Sequence, residues 1–198
     1  MKIVPIDPRE NPKKWEEYII GKPFAGAGDY VKQLLWTLDQ CPETPTNVLE
    51  IGLGYGVSAL LWLELTNADV TVIELLDESQ WRIAEGRECF LTANADSLLK
   101  EHGNRFKVIQ GRGGTAVWKL SQEYDFIFID SSHTYEDTKN EIAGCWRVVE
   151  PGRIVAGHDI SLPGVNRAVT EFAEKLKLVV KSNTEYHDMG TWCVKKEA

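Results

Sequence analysis

Short apolar runs alternate with helical stretches along most of this 198-residue chain, and that alternation limits its fold more than any other feature. Asn47–Ile51, Asp69–Glu74, Phe106–Gln110, Asp125–Asp130 and Arg153–Ala156 read as short strands. Between them, Val57–Leu65, a region from Asp77 to about His102, Thr115–Ser121, Tyr135–Val149 and Gly164–Leu176 read as helices. Gln80, three residues after Asp77, gives that region the capping-box pattern of a helix start. Strands this apolar are buried on both faces, and strands joined through helices run parallel. The expectation is an α/β fold, a doubly wound sheet of about seven strands between two helical layers. Lys177–Lys181 and Thr191–Lys195 are the last strand candidates.

Residues 1–45 read differently. Pro5, Pro8, Pro12 and Pro23 punctuate an arm with a short helix around Trp15–Ile19. A second helix is expected over Asp29–Asp39, where Val31, Leu34, Leu35 and Leu38 recur at helical spacing, and Pro42 and Pro45 close it. The reading is an arm and helix packed on a core of residues 46–198, a single domain overall, as the length suggests. The net charge of −8 repels phosphate backbones and argues against a nucleic-acid partner. The pairs Lys13–Lys14 and Lys195–Lys196 read as solvated ends. Cys41, Cys89, Cys145 and Cys193 are scattered, without the C-x-x-C of a zinc ribbon or a redox pair. No apolar run suits a signal peptide or a membrane span, so a cytoplasmic protein with no membrane partner is expected.

In parallel sheets ligands bind beyond the carboxyl ends of the strands. Here those ends carry Glu50–Gly56, Glu74, Gly111–Gly114, Asp130–His133 and Gly157–Asp159. Gly52, Gly54 and Gly56 are spaced G-x-G-x-G before a helix whose first N–H groups, near Val57–Ser58, attract an anionic group. Glu50 would oppose a pyrophosphate at close range and suits an ammonium. Glu74 suits ribose hydroxyls. The plainer readings are a tight strand-to-helix turn and a solvated strand end. Asp130 and Asp159 would converge on neighbouring strands with His158, a donor set for Mg²⁺ or another divalent cation. The plainer readings there are a helix cap at Ser131–Thr134, a surface-loop histidine at His133, and a polar cleft that only orients substrate.

The segments VLEIGLGYGVSALLWLE and VTVIEL resemble the first two motifs of class I S-adenosylmethionine-dependent methyltransferases. IFIDSSHTYEDTKNEI, GRIVAGHDI and PGVNRAVTEF resemble a branch of small-molecule O-methyltransferases related to macrocin and cephalosporin-pathway enzymes. The resemblance implies a Rossmann-like, three-layer sheet whose last strand, TWCVK, is antiparallel and packs through Trp192. It implies S-adenosylmethionine as cofactor, with Gly52, Gly54 and Gly56 under its methionine part, Glu50 near its amino group and Glu74 at its ribose. Ser58, Gly111 and Asp130 complete the implied cofactor site. Where the family often has an acidic adenine contact, this chain reads Gly111-Arg112-Gly113-Gly114, which leaves adenine to backbone groups and Arg112 to something anionic.

The implied activity is methyl transfer to a small-molecule acceptor, a hydroxyl in that branch. Asp130 and His133 would be catalytic, His133 as the base, and Asp130, His158 and Asp159 would hold a divalent cation. Two other readings stand beside it: a non-catalytic binding or regulatory protein, and a nicotinamide-dependent oxidoreductase, which the glycine spacing and Glu50 oppose. Acceptor contacts are expected from the arm (Trp15, Tyr18, Phe24, Tyr30), from Ser161–Asn166 and from Glu185–Gly190. An aromatic arm also suits a homodimer contact.

Overall fold

The computed structural model describes residues 3–23, 25–75, 93–186 and 189–198. Two helices, α1 (Pro12–Ile20) and α2 (Asp29–Asp39), precede β1 (Asn47–Ile51), α3 (Val57–Leu65) and β2 (Asp69–Glu74). Then come α4 (Ala93–Glu101), β3 (Phe106–Gln110), α5 (Gly113–Ala116), β4 (Tyr124–Ile129) and α6 (Tyr135–Val148). The chain ends with β5 (Val149–His158), α7 (Pro163–Leu176), β6 (Lys181–Asn183) and β7 (Thr191–Lys195). The sheet order is β3-β2-β1-β4-β5-β7-β6. The first five strands are parallel, while β7 is antiparallel to both β5 and β6. This is the Rossmann-like architecture expected, with Thr191–Lys195 as its antiparallel last strand.

Local chemistry explains the departures from the expected bounds. The Asn11 side chain accepts from the Lys14 N–H and starts α1 at Pro12, a residue suited to a first helical turn. Pro151–Gly152 does not delay the fifth strand. The pairing steps from Tyr124↔Val149 to Phe126↔Ile154, so the proline and glycine lie in a bulge within β5. Residue 177 caps α7 in a left-handed conformation, and the strand expected at Lys177–Lys181 forms instead at Lys181–Asn183. The helix expected over Thr115–Ser121 is α5 followed by a 3₁₀ turn at Val117–Lys119. Asp77, Gln80 and Cys89 lie outside the described residues.

Helix α3 is predominantly apolar on every side and almost wholly buried, as such a helix must be. One side meets the sheet, where the Trp62 ring stands edge-on to Phe126 with centroids 5.0 Å apart. The other is covered by Trp15 and Ile19 of α1 and by Val31 and Leu34 of α2, all fully buried. Glu64 ties the arm down, accepting from the Ile3 N–H at 2.9 Å. The opposite face of the sheet packs on α6 and α7, with Trp192 buried among them. No described helix is long and apolar enough to cross a membrane.

One buried carboxylate fixes where β1 begins. Asp125 accepts from the Thr46 N–H and hydroxyl, both at 2.8 Å, and from the Asn47 N–H at 3.0 Å. Replacing Asp125 with Ala leaves those donors without an acceptor. It should lower the unfolding free energy by about 2–3 kcal/mol, measured by urea denaturation. An unchanged midpoint would show that water satisfies those groups equally well.

Candidate functional site

The carboxyl ends of β1, β2 and β4 open into a cleft of about 670 Å³, above the point where the strand order reverses between β1 and β4. Gly52 is what lets those two strands end together. It has φ +96°, and a Cβ there would lie 2.1 Å from the Asp130 carbonyl oxygen. Gly56, also left-handed, caps α3 without a side-chain bond. A Cβ at Gly54 would meet nothing within 4 Å, so the top of the loop is open. Gly54 and Ser58 both line the cleft.

Glu50 lies fully buried at the cleft floor. One carboxyl oxygen accepts from Trp62 Nε1 at 2.9 Å and the other from the Ser58 hydroxyl. Burial pushes its pKa up to about 8, against the pull of those two donors. Both oxygens thus already serve the chain, and burial disfavours the charged form of the group beneath the loop. Glu74 accepts the Leu53 N–H at 2.9 Å and so holds the glycine loop at the cleft's edge. The Gly111 N–H donates to the Glu74 carbonyl at 2.8 Å. Gly111 is thus tied to the end of β2, and its neighbours Arg112 and Gly113 line the cleft. Arg112 pairs with Asp137 at 2.6 Å, so its charge is already answered.

The ends of β4 and β5 carry a second group. Asp130 Oδ2 accepts from the Tyr30 hydroxyl at 2.6 Å. His133 Nε2 lies 2.8 Å from Asp159 Oδ2, and His158 Nδ1 lies 3.2 Å from the other oxygen. His158 Nε2 contacts Gln33 Oε1 at 2.7 Å. Asp159 adopts φ +62°, a conformation aspartate tolerates better than most residues, and this turns its carboxylate between the two rings. Burial would raise the Asp159 pKa, but the two imidazoles outweigh it and hold the group well below the usual range. The hydrogen bond to Asp159 raises His133 in return. His158 is also raised, the nearby carboxylates outweighing its burial.

The expected cation ligands divide. Asp130, His133 and Asp159 each place one donor atom within 4.8 Å of the others. His158 is instead engaged by Gln33 and Asp159, and His133 takes its place in the convergent set. Of the arm aromatics, Tyr30 reaches the site, Trp15 is fully buried in the core, Tyr18 is exposed, and Phe24 lies outside the described residues. Neither Ser161–Asn166 nor the described part of Glu185–Gly190 lines this cleft.

Three site residues escaped sequence reasoning: Glu16, Gln33 and Glu141. Each is a polar residue on the buried face of its helix, a placement that only the packing reveals. Glu141 accepts from the Ser131 hydroxyl at 2.8 Å, and burial pushes its pKa up to about 7. Glu16 accepts from the Gly28 N–H at 2.5 Å, and burial likewise pushes it to about 7.

A family model described as a methyltransferase domain matches residues 49–160, which hold the glycine loop, Glu74 and the Asp130–Asp159 group. The chain belongs to this family. Among solved structures it is similar to an O-methyltransferase from Bacillus cereus in complex with SAH, at 17% identity and TM-score 0.66, with 98% of this chain and 93% of that one covered. It is similar to a Pyrococcus furiosus methyltransferase at 16% identity and TM-score 0.65, with 98% and 100% covered. An SAH-bound methyltransferase from Podospora anserina matches at 17% identity and TM-score 0.58, with both chains covered in full. Identities this low speak for the shared fold. No curated protein matches the sequence.

The buried carboxyls give the methyltransferase domain an unusual pH response. Glu16, Glu50 and Glu141 ionise near 4.5 when unfolded but at about 7, 8 and 7 when folded. Between those values the folded chain holds protons that the unfolded chain has lost, so stability falls as pH rises. His133 and His158, raised above 6.5, act in the same direction, because their charge is lost as pH passes their folded pKa values. The contribution of Asp159 is already complete above its ordinary value near 3.8 and stays constant here. The melting temperature of the ligand-free protein should fall by about 5 °C or more from pH 5 to pH 8. Glu50→Gln should flatten that slope. A melting temperature that rises over the interval, followed by scanning calorimetry, would contradict this account of the cleft.

Proposed function

We propose that the chain transfers the methyl group of S-adenosylmethionine to a hydroxyl of a small-molecule acceptor, with His133 as general base. The observation that carries this reading is that a single cleft joins the open glycine loop, with Glu50 and Glu74, to His133, whose Nε2 is bonded to Asp159. When bound, S-adenosylmethionine supplies an electrophilic methyl group on a cationic sulfur. The residues present suit it. The loop is open above Gly54, and the lining is rich in carboxyl groups that attract a cationic ligand. Glu74 stands where ribose hydroxyls need an acceptor. Backbone groups around Arg112 and Gly113 are left for the adenine.

Asp159 fixes the His133 tautomer by accepting from Nε2–H, which leaves Nδ1 to take the acceptor's proton. His158 and Gln33 hold the Asp159 carboxylate in place from behind. Asp130, steadied by Tyr30, closes the wall between base and cofactor loop. Holding the hydroxyl in line with the methyl carbon then supplies much of the rate.

The convergence of Asp130, His133 and Asp159 supports a second reading, in which these three hold a divalent cation that lowers the acceptor's pKa. The two readings use Nε2 of His133 differently, as an Asp159 partner or as a ligand. Chelation separates them. Turnover unaffected by EDTA favours the base, and turnover lost to EDTA and restored by Mg²⁺ or Mn²⁺ favours the cation.

Isothermal titration tests the cofactor first. S-adenosylmethionine and S-adenosylhomocysteine should bind with micromolar affinity and NAD should not. Binding of neither sulfur nucleoside would sink the proposal. With a turned-over acceptor in hand, His133→Ala should lower kcat by about 100-fold or more. Asp159→Asn should lower kcat and move the rising limb of the pH–rate profile to lower pH, since the group that raises His133 is gone. A limb that stays in place would mean His133 is not the titrating base.

A further inference from the structure

Methyl transfer leaves one wall of the cleft without a task. Glu16 of α1, Ile20 and Tyr30 line the side of the cleft formed by the N-terminal helices. Glu16 is a carboxyl only 4% exposed. One oxygen accepts from the Gly28 N–H, and the other makes no hydrogen bond to a described residue and reaches the open space of the cleft. That oxygen is therefore free to meet a ligand group in the cleft. Its neighbours offer no relief. Glu17 on the same helix and Asp29 on α2 are both acidic and oppose its charge.

The rest of the lining sharpens the choice of ligand. Besides Glu16, the cleft presents the carboxyls of Glu50, Glu74, Asp130, Asp137 and Glu141. Its two basic groups, Arg112 and His133, are bonded to Asp137 and Asp159. An acceptor bearing a carboxylate or phosphate would find no unpaired cation among the described lining residues, and several like charges. Tyr30 bonds to Asp130, so the Glu16 wall stands beside the strand end where the acceptor hydroxyl must sit.

We propose that Glu16 is a specificity residue, and that the acceptor carries a protonated amine that pairs with its unused carboxyl oxygen. The assignment rests on the methyl-transfer reading and adds the chemical class of the acceptor. Tyr30 and Ile20 then flank the acceptor's apolar body, and the amine and the reacting hydroxyl lie at its two ends.

Three ring compounds with the same adjacent hydroxyls but different side-chain charge test it: dopamine, 4-methylcatechol and 3,4-dihydroxyphenylacetate. Each is titrated calorimetrically into the full chain saturated with S-adenosylhomocysteine. Dopamine should bind about tenfold or more tighter than the carboxylate, with the neutral compound between them. Glu16→Gln, which keeps an acceptor for the Gly28 N–H, should bring the three within about threefold of one another. Glu16→Asp, which keeps the charge, should retain part of the preference, so the assignment does not hang on one variant. Equal affinities in the parent protein, no dopamine binding, or a preference that survives Glu16→Gln would each overturn the proposal while leaving methyl transfer standing. Failure of S-adenosylhomocysteine itself to bind would remove the methyl-transfer reading and this one with it.

Discussion

The carbonyl of Asp130 occupies the space where a side chain at residue 52 would begin, and much of the site follows from that contact. Parallel strands β1 and β4 are neighbours in the sheet but are separated in sequence by two crossovers that leave to one side. Their carboxyl ends meet where the strand order reverses. Two backbones can converge there only if one of them has no Cβ. Gly52 supplies that, and the Asp130 N–H bonds to the Ile51 carbonyl at 2.9 Å to close the join. The loop above is then free to turn outward over the cleft, and Asp130 is delivered to its wall. A cofactor loop and a polar strand end, remote in sequence, come to share one cavity because of a contact that carries no chemistry of its own.

The cleft is electrostatically tense. Burial keeps Glu16, Glu50 and Glu141 protonated well above their ordinary range, which means the folded chain resists the charge these groups would carry in water. Asp159 does the opposite, because two imidazoles surround it. The cleft therefore holds carboxyls kept neutral by desolvation, and behind its His133 stands one kept ionised by its partners. A cationic ligand relieves the first kind and leaves the second in place.

Much of this was legible in the sequence because the periodicities are strong. Apolar runs such as DFIFID and the predominantly apolar VSALLWLEL have one stable location each, in a sheet covered on both faces and in a helix buried against it. The polar residues at the strand ends could be located because a charge cannot continue a buried strand. Errors arose where one local signal overrode another. Pro151–Gly152 reads as a stop, yet a bulge absorbs it because the flanking residues still pair with β4. His158 reads as a ligand from its position beside Asp159, but strand alternation turns its ring toward α2, where Gln33 meets it. Only the packing of α2 against the sheet reveals that partner. Glu16 and Glu141 were passed over because a lone carboxylate on a helix reads as solvated until the facing element is known.

The N-terminal helices belong to the site as much as to the core. Helix α3 is too apolar to face water on any side, so something must cover its outer face, and α1 and α2 do. Once α2 lies across the sheet end, its polar positions Tyr30, Gln33 and Thr37, three to four residues apart, fall on one face. They meet Asp130, His158 and Thr191 in turn, at 2.6, 2.7 and 3.0 Å. Gln33, which meets His158, and Tyr30, which steadies Asp130, therefore come from a segment outside the matched domain, which begins at residue 49. Covering a hydrophobic helix and completing a polar site are one act of packing here. A change in the arm that loosened the cover over α3 would be felt first at Asp130 and His158, before the sheet itself gave way.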